Sequence, residues 1–178
     1  GLTRPELSVL ISYSKIDLKE ALLKSRVPDD AYLAREMETA FPARLTAEFG
    51  EPMRRHRLKR EIVSTQLAND LVNHMGITFV QRLKESTGMS AATVAGAYVI
   101  VRDVFRLPHW WQQIEALDYQ VPAQLQLSLM DELMRLGRRA TRWFLRSRRN
   151  ELDAARDVAH FAPKIVQLAS QLDDLLEG

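Results

Sequence analysis

Apolar and polar positions follow one another along this chain with the 3.6-residue period of helices. No stretch alternates with period two over strand length between turn signals. The pattern predicts an all-α fold, a multi-helix bundle of about eight helices joined by short loops. Residues 54–76 are its organising stretch. Neither proline nor glycine interrupts it before Gly76, and Leu67, Ala68, Leu71, Val72 and Met75 recur at helical spacing. Leu58, Ser64 and Thr65 share their half of the wheel. Gln66, Asn69, Asp70 and Asn73 form a narrow polar stripe on the other half, with Ile62 and Val63 set among them. A helix that is apolar beyond one face is covered on more than one side, so this stretch is expected to be the central helix, closed by a left-handed glycine cap at Gly76. Its first turns carry Arg54, Arg55, Arg57, Lys59 and Arg60. Cations there oppose the helix macrodipole, so that end is expected to reach solvent or an acidic partner.

The remaining pattern supplies the other helices. Thr3 and Glu6 have capping-box spacing around Pro5, ahead of a first helix through Leu7, Val9, Leu10, Ile11, Ile16, Leu18, Leu22 and Leu23 to about Ser25. Pro28, Asp29 and Asp30 form a turn and a new N-cap. Leu33, Met37 and Phe41, four apart, predict a short second helix, followed by a brief helical turn through Leu45 and Phe49. Thr78 is placed to cap a helix that Gly88 ends, and Ser90 to cap the next, with Met89 and Val94 as a hydrophobic staple. Pro108 opens a helix bearing Trp110 and Trp111, of which only one can face the core. The longest helix is predicted over residues 123–149, with Leu125, Leu129, Leu133, Leu136, Ala140, Trp143 and Phe144 on its apolar side. A break at Asn150 divides a bundle over residues 1–150 from a tail over 151–178, expected to form a short helix and then a last one from Pro163 to Leu176.

Composition narrows the setting. The chain has 178 residues, 46% of them hydrophobic and 27% charged, which suffices for a packed core. Cysteine is absent, which excludes disulfides and thiolate metal sites and suits a reducing, cytoplasmic environment. No apolar run approaches the ~20 residues that span a bilayer, and the first residues do not read as a signal peptide. The net charge of +2 conceals a segregation. Residues 135–149 hold seven arginines and no acid, whereas residues 151–178 hold six acids and two bases.

Reactive chemistry is hard to find. There is no glycine-rich phosphate loop of either common type. His56, His74, His109 and His160 are scattered, with no HExxH pair. Asp70 and His74 have the i,i+4 spacing of an acid–base pair, and a hydrogen bond along the helix face is the plainer account of it. No catalytic, cofactor-binding or metal-binding residue is assigned. Two features rise above background. Gln66, Asn69, Asp70 and Asn73 place poor helix formers together, either to bond the ends of neighbouring helices or to contact a ligand or another domain. Arg135, Arg138, Arg139, Arg142, Arg146 and Arg149 fall within about 100° of arc, while Arg148 points elsewhere. Such a face is either solvated surface with weak salt bridges to the acidic tail, an interdomain contact, or the electrostatic footprint of nucleic-acid binding.

Four stretches, in order, resemble one family: GLTRPELSVLISYSKIDL from Gly1, HRLKREIVSTQLANDLVNHMGITFVQRL from His56, VFRLPHWWQQIEALD from Val104, and RRATRWFLR from Arg138. They are similar to the C-terminal region of the large bacterial NAD-specific glutamate dehydrogenases, over roughly residues 1–146. The resemblance implies a parent enzyme that oxidatively deaminates L-glutamate to 2-oxoglutarate and ammonia with NAD. It places the catalytic and dinucleotide-binding domains upstream, so that this piece carries neither catalytic nor cofactor residues and is inactive alone. Its implied partners are those upstream domains and further copies of the full-length subunit. The rival expectations are an independent nucleic-acid-binding module using its arginine-rich helices, and a helical enzyme acting through Asp70 and His74.

Overall fold

The computed structural model describes residues 1–148 and 152–177. Among them are eight α-helices and no strand: α1 (Arg4–Leu23), α2 (Ala43–Arg54), α3 (Lys59–Met75), α4 (Phe79–Thr87), α5 (Ala91–Val104), α6 (Leu107–Glu115), α7 (Ala123–Ser147) and α8 (Ala154–Glu177). Two 3-10 segments, Val27–Asp29 and Leu33–Ala40, link α1 to α2. Compactness divides the chain within α5, into Gly1–Gly96 and Ala97–Gly178. The division anticipated at Asn150 lies outside the described residues.

In the first unit α3 is the hub, packing against α1 and both 3-10 segments. Val63, Ser64, Leu67, Ala68, Leu71, Val72 and Met75 are all buried, an arc of about 180° at about 100° per residue. Ala68 aside, these apolar side chains are worth about 1.5–3 kcal/mol each in burial, which makes α3 the unit's main source of cohesion. The helix is shorter than its pattern. Arg54 and Arg55 end α2 and its cap, residues 56–58 turn, and α3 begins at Lys59. This correction leaves Lys59 and Arg60 in the first turn of α3 and lifts the conflict with the macrodipole for Arg54 and Arg55, which stand at a helix C-terminus, where cations are favoured. Their partners are Glu38 and Glu51, at 3.0 and 3.2 Å.

Arg60 has a different task. Its guanidinium donates to the carbonyls of Leu23 (2.8 Å) and Ser25 (3.0 Å) and pairs with Asp29. The last turn of α1 holds no basic residue of its own, so α3 supplies the cation that satisfies its terminal carbonyls. At the other end of α1 the Thr3–Glu6 capping box forms as the spacing predicts.

Several local expectations are revised. The Leu33 segment is a 3-10 helix that buries Leu33, Ala34, Glu36 and Met37 and stops before Phe41. With three residues per turn, Leu33 and Glu36 eclipse, which carries a glutamate inward. Asp30 does cap this segment, accepting from the N–H groups of Tyr32 and Leu33 at 2.8 and 3.1 Å. Gly76 has the positive φ of 83°, but its ψ of 164° is extended and not helical. Thr78 makes no capping bond with its side chain, whereas Gly88 is left-handed and Ser90 accepts from the N–H of Thr93 at 3.1 Å.

The second unit begins with five consecutive buried residues of α5, Ala97, Tyr98, Val99, Ile100 and Val101. Five in a row span more than a full turn, so this helix is covered all round. In α6, Trp111 and Ile114 are buried and Trp110 is half-exposed, which resolves the tryptophan pair. Helix α6 packs on α7, and Gln126 of α7 donates to the carbonyl of Ile114 at 2.9 Å. Helix α8 runs unbroken through Pro163, so the two-helix tail is not formed. Phe161 of α8 meets Trp143 and Phe144 of α7 edge-on at 5.8 and 5.2 Å.

Candidate functional site

Helix α7 combines the arginines with an unexpected apolar surface. On a helical wheel the residues of its apolar arc separate into two halves. Gly137, Thr141, Phe144 and Leu145 form one half and are buried. Leu125, Leu129, Leu136 and Trp143 form the other, and all four are exposed; Leu125 and Trp143 are each 49% accessible. The apolar arc of α7 is therefore about twice as wide as its covered part. This corrects the expected apolar side: Phe144 faces inward and Leu133 and Ala140 are half-covered, while the leucines at positions 125, 129 and 136 do not join the core of the second unit.

The arginines adjoin the bare half of that arc. Going round the helix away from the leucines, Arg139 comes first, then Arg146, Arg135 and Arg142, with Arg138 farthest. Arg135 is engaged within the helix by Glu132 at 2.8 Å and Asp131 at 3.9 Å. Among the described residues, Arg138, Arg139, Arg142 and Arg146 have no ion-pair partner. Arg149 lies outside the described residues. Arg148, off this face, reaches Asp157 of α8 at 3.0 Å.

Helix α1 shows the same division. Leu18 and Leu22 are buried on one side, whereas Val9, Tyr13 and Ile16 are exposed on the opposite side at i, i+4, i+7 spacing. Leu7 and Leu10 are exposed as well. The apolar pattern predicted this helix without dividing its residues between a covered and an uncovered side. Period alone reveals an apolar position and not which neighbour covers it.

The polar stripe of α3 is half-buried at Gln66, Asn69 and Asp70 and exposed at Asn73. Asp70 and His74 join along the helix face, His74 Nδ1 lying 2.7 Å from Asp70 Oδ1 and 2.9 Å from the Asp70 carbonyl. The side chains of Gln66, Asn69 and Asn73 form no hydrogen bond to a neighbouring helix end among the described residues. In the same unit, α1, α3 and α4 line an open groove of about 260 Å³, with Ser14, Asp17, Gln81 and Lys84 along its polar side. That is smaller than the ~300–1,000 Å³ usual for ligand pockets. Among the described residues no three His, Asp or Glu side chains converge as a metal site requires, and no helix is long and apolar enough to cross a membrane.

Fold and surfaces define an all-α module distinguished by half-covered helices. Over residues 1–178 the chain matches the family model described as glutamate dehydrogenase, C-terminal, and it belongs to that family. It is 83% identical over all 178 residues to the NAD-specific glutamate dehydrogenase of Pseudomonas aeruginosa, 52% to that of Halomonas elongata and 34% to that of Mycobacterium tuberculosis. The chain spans 11% of the length of each of these relatives.

Proposed function

We propose that this chain is a non-catalytic helical region of an NAD-dependent glutamate dehydrogenase, and that it serves interdomain packing, and through it assembly or regulation. The parent reaction would convert L-glutamate, NAD and water to 2-oxoglutarate, ammonia and NADH, with NAD held outside this region. The observation that carries the packing role is the bare apolar arc of α7 beside four arginines without ion-pair partners among the described residues. Apolar side chains left exposed along several helical turns lose burial energy that a neighbouring domain would restore. The uncovered side of α1 supports the same reading.

Replacing Arg138, Arg142 and Arg146 together with glutamine tests it. In the 178-residue chain the melting temperature should barely change, because two of the three are exposed and none is ion-paired among the described residues. In the full-length enzyme assembly or activity should fall, most visibly at low salt, where screening is weakest. Normal assembly and kinetics at every salt concentration would return this face to plain solvated surface. Saturable micromolar NAD binding to the 178-residue chain would overturn the non-catalytic half.

A further inference from the structure

We infer that the bare half of the α7 arc seats one amphipathic helix with aspartate and glutamate along its flank. The inference rests on the packing reading in taking α7 to be covered in the intact protein, and it adds the chemistry of the cover. Leu129, Leu136 and Trp143 are spaced by seven, the interval at which a helix keeps one seam against a partner helix crossing at a shallow angle. The companion row of that seam is Leu125, Glu132, Arg139 and Arg146. It changes from apolar to basic toward the C-terminal end of α7. Arg135 and Arg142 form the adjoining flank, also at an interval of seven. From Leu125 to Trp143 the seam is about 27 Å long, at about 1.5 Å per residue. A partner helix of about five turns would cover it.

The charges decide which helix fits. Glu132 and Asp131 already engage Arg135, so the N-terminal half of the seam is balanced within α7. Arg139, Arg142 and Arg146 are not balanced by any described residue. A partner must therefore bring apolar side chains along the whole seam and acids opposite its C-terminal half, where complementary charge fixes register and orientation. A second copy of α7 does not satisfy this. It would add five more arginines and only two acids, both already engaged. Nucleic acid would satisfy the arginines and leave Leu125, Leu129 and Leu136 without a dry cover. A membrane-surface helix lays its apolar face into the lipid boundary, whereas half of the apolar arc of α7 is already buried at Gly137, Thr141, Phe144 and Leu145.

The test is a site-specific photocrosslink in the full-length polypeptide, with p-benzoylphenylalanine in place of Leu136 and, as control, in place of Leu127 on the opposite side of α7. The Leu136 probe should yield one dominant product, a segment with heptad-spaced apolar residues and a net negative flank. R139E with R146E should reduce that product about tenfold. Lysines at the acids of the captured segment should restore it, while the circular-dichroism melt stays unchanged because both arginines are exposed. Capture of a neutral or basic segment of the enzyme would overturn the inference and leave the packing reading standing. Capture of nucleic acid or phospholipid, or no product above the Leu127 control, would overturn the inference and remove α7 from the packing reading as well. The glutamine triple variant then reports on that reading independently.

Discussion

Arg148 donates to Asp157 across the α7–α8 junction at 3.0 Å, and the carboxylate it meets is only 1% accessible. Asp157 also accepts from the backbone N–H of Asp153 at 3.2 Å, while Asp153 accepts in turn from the N–H of Arg156 at 2.9 Å. One buried carboxylate thus secures the start of α8 and neutralises the arginine that points away from the others. Replacing Asp157 with alanine leaves that arginine partly buried without this charge partner and frees a helix-start N–H. Breaking a buried pair costs about 3–5 kcal/mol, and the 28% exposure of the Arg148 side chain places the expected loss at the lower end. Urea unfolding of the 178-residue chain measures it. A loss below about 1 kcal/mol would show that solvent replaces the pair.

The Arg60 hydrogen bond, with smaller charge contributions from Arg60 and its basic neighbours, holds the Asp29 carboxyl below the ordinary aspartate value. With the folded value below the unfolded one, stability from this group is complete above the unfolded pKa of about 4. It is lost as pH falls through the folded value. Asp29→Ala should therefore flatten the stability profile below about pH 4 and leave the profile above about pH 5 parallel to that of the parent chain. Thermal melts between about pH 2 and 5 read this directly, and an unchanged acid limb would remove the bond from the account of how α1 is terminated.

Ser64 Oγ is fully buried in α3 and has no hydrogen-bond partner among the described residues. A hydroxyl desolvated without a partner costs about 1–3 kcal/mol, and alanine removes it with little loss of volume. Ser64→Ala should leave stability unchanged or raise it by up to about 1 kcal/mol. A clear destabilisation by denaturant titration would reveal a bound water or a partner.

Asn69 separates the two readings of the polar stripe. Its side chain bonds no neighbouring helix end among the described residues, so Asn69→Leu should alter the stability of the 178-residue chain by no more than about 0.5 kcal/mol. A loss of about 1–3 kcal/mol would reinstate the stripe as a structural bonding element. Reduced activity of the full-length enzyme with unchanged stability of the 178-residue chain would identify it as a contact edge.

How much of this was legible in the chain follows from what each signal encodes. Helical periodicity, the Thr3–Glu6 capping box, the Asp30 and Ser90 caps and the helix end at Gly88 are local properties and are realised, whereas Gly76 departs from the left-handed cap in its ψ and Thr78 makes no side-chain cap. The break between α2 and α3 is not local. Nothing in residues 56–58 forbids a helix, and the break lets Arg60 reach the end of α1 from a separate helix start. Pro163 failed as a boundary for a related reason: proline weakens a helix interior without prohibiting one. The arginine cluster was legible as charge. Its position beside bare leucines was not, because the wheel shows a wide apolar arc without showing which half a neighbour occupies.

The row of arginines along the α7 leucines has a consequence before any partner arrives. An uncovered leucine seam invites association between copies, and Arg139, Arg142 and Arg146, which no described residue balances, make that association repulsive at low ionic strength. On the proposed packing reading, this row would also keep copies of the chain apart before the acidic helix covers the seam. Salt should weaken this guard. Chains lacking their cover should therefore self-associate more readily as ionic strength rises, the reverse of what an interface held by charge attraction would do.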